Sequence, residues 1–551
     1  MGRQALGATI SQMSALHPQV AERLAGLAPD QRAAATAPPG PVLCVAPAGS
    51  GKTTTLVARI CWLVANGADP AQITAVTFNK RAADELGERL AAALAPLELS
   101  SDPVRVRTFH ALGREILAEA GVAVSNLIDR AEALRRLNGT PLPPAALRRL
   151  DDAFSRLKLD LGADMETVRL GPPGIPADMV SAFIAYERWL ADNDALDFDD
   201  LVRRALTLFR TDPATLAEWR ERCATLLVDE VQDVDRSQLE LAVLLAGEGR
   251  NVFLVGDDDQ TIYAWRLADV RRVLDLAASL PGLRRVDLVT NYRCPRQVVE
   301  RAVRLIEGNR ERFAKTIRAA PAASGELLLG PDAGDEVARA RRLLRHWLPA
   351  AAGVHAVLAR TNAELAPYAA VALEMGVPYR AAEDGLLLDE PRIDELLAGV
   401  PDDAPAAPAL SRLALRDATA RSLLAWAVPY RTAADLRLAI AETRRRRQDL
   451  RRDGAELVLA TAHGTKGLEF DHVACIGLDD GVFPSRRSLE EADDPVRALE
   501  EERRLAYVAW TRARRSLLLV YDPFAPSVFL REAFSEEELE TSFTRSDRRA
   551  A

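Results

Sequence analysis

Val42-Leu43-Cys44-Val45 runs into Ala46-Pro47-Ala48-Gly49-Ser50-Gly51-Lys52-Thr53-Thr54, and a stretch rich in Ala, Leu and Val follows. The four apolar residues read as a buried strand and the stretch after Lys52 as a helix, with a glycine turn between them. The turn meets the pattern G-x-x-x-x-G-K-[ST], except that Ala46 stands in place of the first glycine. Gly49 and Gly51 allow a tight loop whose N–H groups point inward as an anion nest, and the helix start adds positive potential. Lys52 then reaches the outer phosphates of a nucleotide, and the Thr53 hydroxyl suits Mg²⁺. Ala48, Gly49, Ser50, Gly51, Lys52, Thr53 and Thr54 are the candidate phosphate site, with ATP and Mg²⁺ as its ligands.

A phosphate loop alone does not separate a kinase from an ATPase. Leu226-Leu227-Val228 reads as a second buried strand, and it ends in Asp229-Glu230. The first carboxylate can join the Mg²⁺ shell, and the second can orient and deprotonate an attacking water. Taken alone, such a pair also fits a solvated turn; with the loop upstream, hydrolysis is the better reading. A third strand, Val252-Phe253-Leu254-Val255, ends in Gly256-Asp257-Asp258-Asp259-Gln260, where the Gln260 amide can sense the terminal phosphate.

Apolar runs, short turns and Ala/Leu/Arg-rich helical patterns alternate along the chain, the grammar of parallel α/β domains. At 551 residues the chain is too long for one core. The expected division is a first domain over 1–120 and 191–288 with a helical insert over 121–190, which contains the breaker cluster Gly171-Pro172-Pro173-Gly174. A second domain follows over 289–380 and 454–551, with a shorter insert over 381–453 that ends in the basic run Arg444 to Arg452. Hydrophobic residues at 48% and charged residues at 27% fit a globular protein. No signal-peptide pattern or membrane-length apolar run stands out, which predicts a cytoplasmic protein. Cys44, Cys61, Cys223, Cys294 and Cys475 lack any Cys-x-x-Cys pair and read as buried thiols. The net charge of −9 argues only weakly against nucleic acid. A single strand can be held by a local groove and by base stacking on aromatics.

In order along the chain stand LAPDQRAAA, APAGSGKT, AVTFNKRAADEL, TFH, LDFDDL, LLVDEVQD and VGDDDQTIYAWR, then NYRC, ARTN, GVPYR, TAHGTKGLEF, GVFPS and EEERRLAYVAWTRA. This ordered series resembles the UvrD/Rep family of superfamily 1 DNA helicases over nearly the whole chain. The resemblance implies two RecA-like P-loop domains with parallel sheets, each carrying a mainly helical insert, and ATP held between them. It implies that Gln31 hydrogen-bonds adenine, Tyr292 stacks on it, and Glu469 lies near the ribose. Lys52, Thr53, Asp229, Glu230 and Gln260 keep the roles argued above. Arg293 and Arg512 would reach the γ-phosphate, a task suited to a fixed, always charged guanidinium.

For DNA, the resemblance points to Phe78, His110, Tyr263, Trp265 and Arg266, and to the Thr461–His463 turn. Aromatic faces stack on any base, at about 1–3 kcal/mol each, so they grip without sequence preference. Tyr263, Trp265 and Phe78 also fit core aromatics, and the two histidines fit structural roles. Glu500-Glu501-Glu502 reads as a solvated helix face, and Arg444 to Arg447 as an exposed basic helix or a phosphate contact. The short second insert, the early end after the last motif and FNKRAA in place of the commoner FTNKAA depart from the family pattern. Three functions follow: a 3′ to 5′ helicase acting on single strands and single/double-strand junctions, a single-strand translocase that strips proteins, and a DNA-binding subunit of a larger machine.

Overall fold

The computed structural model describes residues 17–97, 103–161, 165–172, 174–247, 249, 251–383, 386, 391–415 and 418–542; Pro173 of the breaker cluster lies outside them. The chain divides into two compact units, one of Met1–Tyr292 with Asn309–Ala320, the other of Arg293–Gly308 with Pro321–Ala551.

The first unit is built on six strands: β1 (Val42–Val45), β2 (Ile73–Thr77), β3 (Arg105–Thr108), β4 (Thr225–Val228), β5 (Val252–Gly256) and β6 (Arg284–Asp287). They lie in the order β3-β2-β4-β5-β1-β6, and every pairing is parallel. A parallel sheet covered on both faces needs strands apolar throughout, and β1, β2, β4 and β5 are buried at every position. Successive side chains point to opposite faces. Leu43, Val45, Leu226, Val228 and Leu254 accordingly join a core with Phe109, Leu201 and Trp219. Val42, Cys44, Leu227, Phe253 and Val255 join another with Leu56, Ile60 and Leu90. The edge strands β3 and β6 carry Arg105, Arg107, Arg284 and Arg285, charges that suit a solvent-facing edge.

Helices start where the strands stop. Gly51 caps Lys52–Ala65; Asn79 of FNKRAA caps Lys80–Leu94 by accepting from the Ala82 N–H; Thr108 of TFH caps Phe109–Glu119 by accepting from the Ala111 N–H. Between Phe109–Glu119 and Asp200–Thr211 lie the helices Arg130–Asn138, Pro144–Ser155, Met165–Arg169 and Ala177–Asp192. They share a separate core that includes Leu134, Phe154, Phe183 and Tyr186.

The sequence expectation put 289–380 in the second domain, whereas 289–292 and 309–320 belong to the first unit. Two short strands, β7 (Thr290–Asn291) and β8 (Arg318–Ala319), pair in parallel. The Val289 N–H also donates to Asp30 at 2.8 Å, and the Lys315 side chain is fully buried against Asp257, Asp258 and Asp259.

In the second unit, β9 (Glu326–Pro331), β10 (His355–Ala359), β11 (Tyr379–Arg380), β12 (Leu457–Thr461), β13 (Phe470–Cys475) and β14 (Ala513–Tyr521) form a second parallel sheet, in the order β11-β12-β10-β13-β14-β9. Val357, Leu459 and Ala474 pack with Leu365, Tyr368 and Ala372 of the helix Asn362–Met375. The helices Pro391–Ala398, Ala406–Ala414, Ala418–Ala427 and Ala433–Leu450 share a core around Ile393, Leu410, Leu423 and Leu436.

Two expectations change here. Glu500 and Glu502 are buried in the helix Pro495–Trp510, not solvated. Arg504 pairs with Glu500 at 3.5 Å, and Arg360 pairs with Glu502 at 2.6 Å. Of the basic run, Arg447 is buried and Arg444 pairs with Asp394 at 2.8 Å, so the run is not a uniformly exposed stripe. All five cysteines are buried. Among the described residues, no helix is long and apolar enough to cross a membrane.

Candidate nucleotide site and nucleic-acid surface

The phosphate loop joins β1 to its helix through two left-handed glycines, Gly49 at φ +68° and Gly51 at φ +83°. A Cβ on Gly51 would also meet the Gln31 Nε2 at 2.6 Å and push that side chain aside, but it is the left-handed backbone that requires glycine. Ala46, where the pattern expects glycine, is not among the left-handed residues, and its N–H donates to the Gly256 carbonyl at 2.8 Å. The backbone there asks for nothing only glycine can give. The Ser50 Oγ is buried without a hydrogen-bond partner, an open donor that suits a phosphate oxygen. The Lys52 Nζ donates to the Ala46 carbonyl at 3.2 Å and lies 4.0 Å from the Glu230 carboxylate.

The tips of β4 and β5 face this loop. Burial, reinforced by the charge of Glu230 and opposed by Lys52, pushes the Asp229 carboxyl up to about 7. The Thr53 hydroxyl and the Asp229 carboxylate are each oxygen donors of the kind Mg²⁺ takes. Glu230 sits at φ +52°, one of three left-handed non-glycine residues among those described. Such a backbone costs on the order of 1 kcal/mol or more and fixes where the carboxylate points. Its Oε2 accepts from the Gln232 Nε2 at 2.6 Å, and the Gln232 Oε1 accepts from the Asp257 N–H at 3.0 Å. The Asp257 Oδ2 then accepts from the Gln260 Nε2 at 2.6 Å. Glu230 and Gln260 are therefore joined through Gln232 and Asp257. The link depends on Gly256, since a Cβ there would lie 2.3 Å from the Gln232 Oε1.

Gln31 is buried beside the loop: its Nε2 donates to the Ser50 carbonyl at 2.8 Å, and its Oε1 accepts from the Ala28 N–H at 3.1 Å. The Tyr292 N–H donates to the Gly49 carbonyl at 2.8 Å while its side chain is half exposed, so the ring stands free next to the loop. In the second unit, the Arg293 Nε donates to Glu469 at 2.6 Å, and Arg514 also binds Glu469. Burial works against the Glu469 charge, but Arg293 and Arg514 outweigh it and hold the carboxyl below its usual range. Arg512 is buried, donating to the carbonyls of Val508 at 2.9 Å and Leu468 at 3.2 Å.

The aromatic residues assigned to DNA follow the same strand ends. Phe78, directly after β2, stacks on Tyr263 with centroids 5.3 Å apart and planes 13° apart. Tyr263 meets Trp265 edge-on at 6.1 Å, and the Arg266 guanidinium lies 4.8 Å from the Trp265 ring centroid. Trp265 is 59% exposed, which no core tryptophan is. His110 stacks on Phe198 at 3.9 Å. Burial pushes the imidazoles of His110 and His463 down to about 4, so both rings are neutral at pH 7. Thr461 ends β12, and its Oγ1 accepts from the Gly464 N–H at 3.3 Å in the His463–Thr465 turn.

Sequence reasoning did not single out Phe198, Gln232, Arg514 or Lys315. Phe198 is 56% exposed between Asp197 and Asp199, both of which bind Arg130; its sign in the sequence was its place at the centre of LDFDDL.

Comparison with known proteins places the chain in a family. A family model described as the UvrD/REP helicase N-terminal domain matches residues 27–164 and 176–281, and one described as the UvrD-like helicase C-terminal domain matches 436–522. The chain is 32% identical to the ATP-dependent DNA helicase UvrD2 of Mycobacterium tuberculosis, over 90% of this chain and 78% of that protein. It is 27% identical to DNA helicase II of Escherichia coli, over 89% of this chain and 84% of that protein. It is 26% identical to the ATP-dependent DNA helicase PcrA of Bacillus subtilis, over 90% and 82%. A phosphate loop on a parallel sheet, carboxylates at two neighbouring strand tips and a second parallel sheet thus stand in a chain that belongs to the UvrD/Rep helicase family.

Proposed function

We propose that this UvrD/Rep-family DNA helicase couples ATP hydrolysis to 3′ to 5′ movement along single-stranded DNA and to strand separation at single/double-strand junctions, in the cytoplasm, during repair, recombination or replication restart. One observation carries the coupling: the segment from Asp257 to Arg266 holds both Gln260, bonded to Asp257 at 2.6 Å, and the exposed Trp265 beside Tyr263. A change at the terminal phosphate is thereby a few residues from an aromatic surface able to hold a base.

In this reading the phosphate loop residues Ala48 to Thr54 bind the triphosphate of ATP, Lys52 neutralises its outer oxygens, and Gln31 and Tyr292 hold the adenine. Glu230 orients the attacking water and takes its proton on the carboxylate, while Gln260 senses the γ-phosphate. Thr53 and Asp229 would hold Mg²⁺, which when bound neutralises charge on the phosphate oxygens. Arg293 and Arg512 serve as γ-phosphate arginines and Glu469 as a ribose contact. Phe78, Tyr263, Trp265, Arg266, His110, Thr461 and His463 form the single-strand track, and the helical groups within 121–190 and 381–453 are inserts of the two domains.

The test is ATP turnover with and without single-stranded DNA, beside unwinding of matched 3′- and 5′-tailed duplexes, with Lys52→Ala as the inactive control that still binds single strands. DNA-stimulated turnover with unwinding of the 3′-tailed duplex is expected. Turnover with protein displacement but no unwinding would leave a translocase. Turnover unaffected by Lys52→Ala would remove the site assignment.

A further inference from the structure

Lys315 lies in the segment Asn309–Ala320, which rejoins the first unit after the helix Arg296–Ile306. Its side chain is fully buried, and its ammonium meets three consecutive carboxylates: Asp257 at 3.1 Å, Asp259 at 2.8 Å, and Asp258. The ammonium donates to Asp257 and Asp258 and forms an ion pair with Asp259. The same segment adds Arg312, bidentate on Asp259 at 2.9 and 2.8 Å, and the Phe313 N–H, which donates to Asp258 at 2.8 Å. Three adjacent buried acids repel one another, and the cations brought to them offset that repulsion; burial still pushes the Asp258 carboxyl up to about 6. Burial raises the Asp257 carboxyl, but Lys315 and Lys52 outweigh it and hold the group below its usual range.

The three acids differ in what else they touch. Asp258 and Asp259 bond to Phe313 and Arg312 of the returning segment. Asp257 looks both ways: Lys315 binds its Oδ1, and the Gln260 Nε2 binds its Oδ2 at 2.6 Å. Lys315 thus stands one carboxylate away from the amide assigned to the terminal phosphate. We propose that Lys315 is a positioning residue of the ATPase site, whose ammonium fixes Asp257 and through it the pose of the Gln260 amide. This rests on the reading of Gln260 given above. Lys315 acts through Asp257, so the chemistry is lost by misplacement rather than by loss of a reacting group; a displacement of about 1 Å in a catalytic group costs roughly 100-fold.

The experiment compares wild type, Lys315→Met, Gln260→Ala and the double variant, in the full chain with saturating single-stranded DNA. Steady-state kcat is read beside the Kd of a fluorescent ATP analogue. Lys315→Met should lower kcat by about 10- to 100-fold and leave nucleotide Kd within about twofold. In the Gln260→Ala background it should cost less than about threefold more, because its path to the phosphate is already cut. An unchanged kcat in Lys315→Met, or full multiplication of the two effects, would overturn the proposal. If Lys315→Met does not fold, Lys315→Met with Asp258→Asn removes one cation and one anion together and takes its place. Failure of that variant to fold as well would make Lys315 a folding determinant and overturn the positioning role. Wild type that lacks DNA-stimulated turnover would instead overturn the underlying functional reading, so the two failures are distinguishable.

Discussion

Glu230 and Trp265 carry the sharpest consequences at the scale of single residues. Glu230→Gln keeps the size of the side chain and an oxygen for the Gln232 amide, which now lies 2.6 Å from the carboxylate. It removes only the proton acceptor, so nucleotide binding should persist while turnover falls by about 10²-fold or more. Equilibrium binding of a fluorescent ATP analogue beside single-turnover hydrolysis checks this, and loss of binding would make the carboxylate structural. Trp265 is 59% exposed, with Arg266 over its ring. Trp265→Ala should weaken single-strand affinity by about 1–3 kcal/mol, reducing DNA stimulation and leaving basal turnover nearly unchanged. A packed tryptophan would cost about 3–5 kcal/mol of stability on the same change. Thermal unfolding run beside DNA titration separates the two, and a large fall in melting temperature with unchanged affinity would reject the platform.

At the scale of elements, what was legible in the sequence was what local chemistry dictates. The strands β1, β4 and β5 were readable because a buried parallel strand must be apolar at every position, and the phosphate loop because it is one continuous turn. The acidic residues of the helix Pro495–Trp510 were misread because their neutralising partner can be far along the chain: Glu502 pairs with Arg360, 142 residues away. The partners of Gln232, which stands in LLVDEVQD, and of Lys315 were hidden for the same reason, since neither carries a local signature of the Asp257 it holds. The helix Arg236–Ala246 shows a related effect at its start. Its N-cap Asp235 accepts from the Gln238 N–H at 2.9 Å, but burial pushes the carboxyl up to about 7. The unfolded chain holds this group near 3.9. Between those values the folded state binds the extra proton, so Asp235 makes stability fall as pH rises from about 4 to about 7. Asn caps a helix about as well as Asp and cannot ionise. Asp235→Asn should therefore flatten that part of the stability–pH profile, measured by urea unfolding across the range. An unchanged slope would show that the carboxyl titrates as an ordinary one.

At the scale of the whole molecule, the first unit is discontinuous in sequence: its strand β8 and Lys315 come from Asn309–Ala320, after the chain has already entered the second unit. A fragment of residues 1–292 retains the phosphate loop yet loses the cation buried among Asp257, Asp258 and Asp259. It should melt well below a fragment of residues 1–320, since leaving one side of a buried ion cluster uncompensated costs about 3–5 kcal/mol. Equal melting temperatures for the two fragments, by calorimetry, would show that the returning segment adds no stability. The chain passes between the units three times, after Tyr292, Gly308 and Ala320. A single crossing would be one covalent tie between the units, whereas this chain has three. A single protease cut at any one of these crossings leaves two others, anchored in the first unit by the packing of Asn309–Ala320, so nicking should be silent on a sizing column until all three crossings are severed.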